Sequence, residues 1–182
     1  MFNSKVLMNR KIELPPAFTK NKKYINVVIE TPVNSRNKFD FDKDTGLFKL
    51  KKVLPQGFSF PCDFGFIPQT KGEDGDPLDV LVMMDEYTYP GCLIECRLLG
   101  VIKAEQTEKD GKKERNDRFV AVPAKMCEYD NLQDIRSIDK NKLDALTKFF
   151  EFYNEMEGKK FSLLGIDNEK KARKLIRKQM ND

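Results

Sequence analysis

Apolar residues change their spacing once along this chain. Up to about residue 123 they fall in short runs separated by turn residues. Lys23–Glu30 is rich in β-branched residues and predicts a strand. Phe39–Asp42 and Leu47–Leu50 flank Lys43-Asp44-Thr45-Gly46, which predicts a hairpin with glycine closing the loop. Phe60–Pro68 reads as an aromatic strand bounded by proline, and Val80–Met84 and Leu93–Val101 are apolar enough for central strands. Phe119–Val122 ends this part at Pro123, and a charged loop is expected between Glu105 and Asn116. Beyond it the period lengthens. Leu143, Leu146, Phe149, Phe150, Tyr153 and Met156 recur at intervals of three and four, one apolar face of a helix, with Asn141 as its candidate N-cap. A second helix is expected over Glu169–Met180, with Ala172, Leu175, Ile176 and Gln179 inward. Its lysines and arginines read as a solvated face. Short strands followed by helices predict an α+β fold, a small closed or nearly closed antiparallel barrel with a helix packed across it.

Composition narrows the chemistry. With 182 residues, 40% hydrophobic and 34% charged, the chain is expected to form one domain over 1–182, neither disordered nor embedded in a membrane. A net charge of +4 is too mild to imply nucleic acid. No apolar leader follows the start, so a secretory signal is not expected. The four cysteines, Cys62, Cys92, Cys96 and Cys127, form no CxxC pair and read as free thiols of a reducing, cytoplasmic compartment. There is no histidine, which excludes Ser-His-Asp and Cys-His triads. Acid–base work must then fall to carboxylates, lysine, tyrosine or metal-bound water.

The most informative segment is Glu73-Asp74-Gly75-Asp76-Pro77-Leu78-Asp79. Three aspartates precede an apolar strand, in a turn that Gly75 and Pro77 make rigid. Rigid convergence of carboxylates is costly, and a hard divalent cation, Mg²⁺ above all, relieves it. An EF-hand is excluded, because its glycine position holds Asp79. The alternative is a surface turn of three solvated aspartates. Glu30 and Asp40 lie near strand ends, and Glu105 and Asp117 bracket the charged loop. Lys38, Lys52, Arg118 and Lys160 lie close to these acids in sequence. Carboxylates and cations mixed around a divalent metal suit a multiply charged phosphate substrate.

With these residues in place, the sequence resembles the soluble family I inorganic pyrophosphatases over roughly Lys23 to Lys160. The signature is Asp74-Gly75-Asp76-Pro77-Leu78-Asp79-Val80. Val28-Ile29-Glu30-Thr31-Pro32, Lys38-Phe39-Asp40, the run from Phe60 to Pro68, Pro90-Gly91, Val120-Ala121-Val122-Pro123 and the Phe149-Phe150…Tyr153 set support it in order. The resemblance implies a five-stranded antiparallel OB-like β-barrel with flanking C-terminal helices. It implies Mg²⁺-dependent hydrolysis of pyrophosphate to two phosphates by direct attack of metal-bound hydroxide. It also implies a homo-oligomer. By the same resemblance, Asp74 and Asp79 are metal ligands and Asp76 orients or deprotonates the attacking water. Glu30 and Asp40 match acids of the outer metal site, and Asp117 and Glu105 are the candidates for the acids of the charged loop. Lys38 and Tyr153 match phosphate contacts, and Lys52, Arg118 and Lys160 complete the candidate substrate-binding set.

Several positions depart from the family pattern. Lys52 stands where arginine is common, although counting from Leu47-Phe48 places Lys51 there instead. Phe64 replaces a tyrosine and cannot donate a hydrogen bond. Asn116 replaces an aspartate, and the neighbouring Asp117 serves only if the loop bulges. Asn154 replaces a lysine, with Lys159 or Lys160 as substitutes. Two other readings remain: a different Mg²⁺-dependent phosphohydrolase, or a non-catalytic OB-like module for anions or nucleic acid. The absence of a P-loop speaks against a nucleotide hydrolase. The three clustered aspartates, which would repel phosphodiesters, speak against a nucleic-acid partner.

Overall fold

A computed structural model of the chain describes residues 13–125 and 129–180. Cys127 lies outside the described residues. The strands are β1 (Ile25–Thr31), β2 (Asn37–Asp42), β3 (Leu47–Val53), β4 (Asp63–Ile67), β5 (Leu78–Val82), β6 (Leu93–Thr107), β7 (Lys113–Arg115), β8 (Arg118–Pro123) and β9 (Lys160–Asn168). The helices are α1 (Lys140–Glu155), after a single 3₁₀ turn at Ile135–Ser137, and α2 (Glu169–Lys178).

Five strands close on themselves. β1 pairs β4, β4 pairs β5, β5 pairs β8, β8 pairs β6, and β6 returns to β1. This is the expected five-stranded ring, with one refinement: β5 and β8 run parallel, and the other pairs are antiparallel. Strand alternation divides the ring's side chains into two sets. One set includes Val27, Ile67, Val80, Leu98 and Phe119. It draws on all five strands, so it fills the ring interior, and Ala172 and Ile176 of α2 close it. The other set, including Phe64, Leu81, Ile102 and Val120, faces outward and is covered by Leu146, Phe149, Phe150 and Tyr153 of α1.

The main departures from the sequence reading lie outside the ring. The expected loop from Glu105 to Asn116 is a hairpin, because β6 continues to Thr107 and β7 pairs back along it. β9, which lacks a clean alternation in sequence, adds beside β6 through eight paired positions, Gly100–Asn168 to Thr107–Lys160. There Gly100 is required: a Cβ would lie 2.5 Å from both the Asp167 carbonyl oxygen and the Ile135 side chain. The cap of α1 is Asp139 rather than Asn141. Asp139 keeps non-helical backbone, with ψ 131°, and its carboxylate accepts from the Asn141 and Lys142 amides at 3.0 and 3.2 Å. Met156 caps the far end of α1 and is 45% exposed, so it is not part of the buried face.

The hairpin β2–β3 forms its own two-stranded sheet beside the ring. It carries a bulge that positions the site. Lys38 pairs with Lys52 but Phe39 pairs with Leu50, so Lys51 is the extra residue.

Candidate active site

A cavity of about 630 Å³ opens on the outer face of the ring, between the β2–β3 hairpin, the loop before β5 and the end of α1. The acidic turn enters from one side. Gly75 adopts φ +89°, and the Asp76 amide donates to Asp74 Oδ1 at 3.1 Å, so the turn folds on its own carboxylate. Asp79 follows on β5, opposite Arg118 on β8 in the parallel register. Arg118 is only 5% exposed, and its Nη1 forms an ion pair with Asp79 Oδ2 at 2.8 Å. The same nitrogen reaches Asn116 Oδ1, and the guanidinium lies 5.0 Å from the centre of the Phe150 ring. Arg118 is thereby fixed on three sides, while its buried Nε has no partner among the described residues.

The acids crowd one another. Burial pushes the Asp79 carboxyl up, and the Asp74 and Asp76 charges push it further, with Arg118 and Lys38 opposing. Burial also raises Asp74, with Asp76 adding to the effect. Glu30, at the end of β1, accepts from the Phe41 amide at 2.8 Å, and burial pushes its pKa up to about 7.

The hairpin supplies the cations. Lys38 pairs with Asp40, and Lys51 reaches the other Asp40 oxygen at 3.0 Å. Burial acts to raise the Asp40 carboxyl, but Lys38 and Lys51 together outweigh it and hold the group below its ordinary value. Adjacent strand residues normally point to opposite faces; the bulge brings both Lys51 and Lys52 to the cavity wall. The choice between them that counting left open thus has a structural answer, since both face the site. Lys38 Nζ lies 5.5 Å from the Phe64 ring centre, so the phenylalanine supports a lysine where it cannot donate a hydrogen bond.

A family model described as inorganic pyrophosphatase matches residues 27–182. The inorganic pyrophosphatase of Synechocystis sp. is 41% identical over 141 residues, covering 78% of this chain and 80% of that protein. That of Halalkalibacterium halodurans is 37% identical over 154 residues, covering 85% and 91%. The crystal structure of the Thermus thermophilus inorganic pyrophosphatase superposes with a TM-score of 0.83 at 32% identity, covering 92% of this chain and 95% of that one. The chain belongs to the inorganic pyrophosphatase family.

Of the residues singled out from sequence, Glu30, Lys38, Asp40, Lys52, Asp74, Asp76, Asp79, Arg118 and Tyr153 line this one cavity. Three others do not. Glu105 points to the far side of β6 and pairs with Lys113 at 2.8 Å. Its neighbour Gln106 faces the cavity instead and accepts from Asn116 Nδ2 at 3.2 Å. Asp117 turns back onto β6. It accepts from the Ala104 amide at 3.0 Å and from Arg115 Nε at 2.6 Å, beside a small recess bordered also by Asp74 and Asp79. Lys160 is exposed, whereas Lys159 lines the cavity and pairs with Glu108 at 3.0 Å. Asn154 is 1% exposed and donates to the Phe150 carbonyl at 2.8 Å. Sequence reading did not reach Gln106, Glu108, Glu114, Glu157 or the double lysine. Their signal is the pairing of β6 with β7, the hairpin bulge and the turn after α1, none of which the residue pattern announces.

Among the described residues, no three acidic, cysteine or histidine side chains form a ready-made ligand cluster. The donor set nevertheless fits Mg²⁺. It consists of oxygens only, opens to a roomy cavity where the ion can keep its waters, and holds carboxylates whose mutual repulsion a cation relieves.

Proposed function

We propose that this cavity hydrolyses inorganic pyrophosphate to two phosphates with Mg²⁺. The observation that carries the reading is the convergence of Asp74, Asp76 and Asp79 with Lys38, Lys51, Lys52 and Arg118 in one cavity. Nine acids and seven bases line the wall, so the protein alone offers a polyanion a slightly negative surface. Binding then requires added divalent charge.

In this mechanism Asp74 and Asp79 would hold Mg²⁺, and Glu30 would serve the outer side of the site. Bound Mg²⁺ supplies positive charge to the phosphoryl oxygens and acidifies water. Asp76 accepts the proton of the attacking water. Arg118 fixes Asp79 and presents its charge to the cavity. Lys38, Lys51 and Lys52 bind the oxygens of the departing phosphate, and Tyr153 donates its hydroxyl proton as a hydrogen bond. Burial raises the Tyr153 pKa, so that proton is retained across the working range. No covalent intermediate is required.

Among the described residues no helix is long and apolar enough to cross a membrane. A cytoplasmic enzyme is the reading that the free thiols of Cys62, Cys92 and Cys96 support. A homo-oligomer belongs to the same reading, on the likeness to the family.

The test is phosphate release from pyrophosphate with Mg²⁺ and with chelator, using ATP as the parallel substrate. Release from pyrophosphate that chelator abolishes, with little from ATP, is expected. Preference for ATP would favour a different phosphohydrolase. No release with any divalent ion would overturn the assignment.

A further inference from the structure

The turn after α1 reaches into the cavity. Asn154 organises it: its carbonyl accepts from the Glu157 amide at 2.9 Å and from the Lys159 amide at 3.0 Å. Gly158 supplies the positive φ, +70°, that lets the chain reverse. The result places the Glu157 carboxylate on Lys52 Nζ, while that ammonium lies 3.7 Å from the centre of the Tyr153 ring. Lys52 is thus held between an anion and an aromatic face, both from the α1 end of the molecule.

Lys52 needs such support. It lies opposite Lys38 across the β2–β3 hairpin. Burial lowers its pKa and the Lys38 charge lowers it further, while Glu157 and Asp40 oppose both. The groups facing it are therefore Lys38 and Asp40 from β2, Tyr153 from α1 and Glu157 from the turn. Lys38 already has Asp40 as its carboxylate partner. Glu157 is the corresponding partner for Lys52, supplied from an element more than a hundred residues away in sequence.

We propose that Glu157 is a positioning residue for substrate: it holds the Lys52 ammonium over the Tyr153 ring, charged and aimed at the place where a phosphoryl group docks. The carboxylate takes one of the three ammonium donors and leaves the others for phosphate oxygens. Its contribution belongs to binding, because its carboxylate meets Lys52, a cation for phosphate oxygens, and not the aspartates that handle the attacking water. The inference rests on the pyrophosphate reading above.

Glu157→Gln, Glu157→Asp, Lys52→Gln and the Lys52→Gln/Glu157→Gln double variant test it. Two readouts are needed: steady-state turnover of pyrophosphate, and equilibrium binding of inorganic phosphate by calorimetry in Mg²⁺. Glu157→Gln is expected to raise KM about tenfold, with kcat changed less than about threefold, and to weaken phosphate binding in proportion. Loss of the carboxylate lowers the Lys52 pKa, so the alkaline limb of kcat/KM moves to lower pH. Glu157→Asp restores most of both effects. In the Lys52→Gln background, Glu157→Gln adds little, because its partner is already gone. Unchanged KM, phosphate affinity and alkaline limb in Glu157→Gln would overturn the proposal. So would effects that add fully in the double variant. Tighter phosphate binding would also overturn it, since the carboxylate would then be a competitor of substrate. Phosphate binding is read without turnover, so a chain that does not hydrolyse pyrophosphate still reports on Glu157.

Discussion

Asp76 is the residue whose role is most sharply exposed to test. It lines the cavity beside Asp74 and Asp79, yet its amide rather than its carboxylate braces the turn. Asp76→Asn should therefore leave Mg²⁺ binding within about threefold and reduce kcat by 10²- to 10⁴-fold, the usual range for a lost general base. Calorimetric Mg²⁺ titration beside steady-state kinetics measures both; near-normal turnover would remove the role. Glu30 carries a pH prediction. Its pKa rises from 4.5 to about 7 on folding, so between those values the folded chain binds more protons than the unfolded one. Stability then falls as pH rises through that window, by on the order of 3 kcal/mol from this group. Urea denaturation in chelator at a series of pH values should record the fall, and Glu30→Gln should shrink it. At this scale placement is legible where it is local, as in the Asp74–Asp79 turn, whose three aspartates line the cavity. It is poorly legible where two adjacent residues compete to face inward. Glu105 against Gln106, and Lys51 against Lys52, are decided by strand parity and by a bulge, and both depend on the register with the neighbouring strand, which the residue pattern does not announce.

The elements were legible in proportion to the clarity of their pattern. α1 announces itself through its phenylalanines, and the central strands through their apolar runs. β9 does not announce itself, because its two leucines, Leu163 and Leu164, are adjacent and both exposed. Its place is set by main-chain pairing to β6, to which alternation gives no clue. The cap of α1 was misplaced by two residues because two polar residues that make good caps, Asp139 and Asn141, lie close together; backbone conformation chose the first. Asp139→Ala should cost about 1 kcal/mol in stability. Urea unfolding should show it, with KM and kcat little changed because the cap is at the opposite end of α1 from Tyr153. A loss of activity without loss of stability would tie the cap to the site.

At the scale of the whole molecule, the site is a seam. Glu30, Asp79 and Arg118 come from the ring, Lys38 and Lys52 from the hairpin, Tyr153 and Glu157 from the end of α1. A ligand that bridges these walls should tie them together. Mg²⁺ at about a hundred times its dissociation constant should add about 2.7 kcal/mol to unfolding stability, if the unfolded chain does not bind it. A thermal melt with and without Mg²⁺ reads this, and an unchanged midpoint would mean that no ion is held by the folded carboxylates. The ring itself was anticipated from sequence; its parallel pair was not, since nothing in Val80 or Phe119 distinguishes a parallel neighbour from an antiparallel one.

That parallel pair has a consequence for how the protein is born. β5 cannot complete its pairing with the segment that follows it directly, because its second neighbour is β8. β1 likewise waits for β6. As the chain leaves the ribosome, the sheet made of β1, β4 and β5 therefore has two open edges until β6 has emerged, and its β5 edge stays open until about residue 123. Closure depends on contacts distant in sequence, the kind that slow folding and leave strands open to wrong partners in the meantime. Nascent chains stalled before β8 should accordingly need chaperone protection that chains stalled after Pro123 do not.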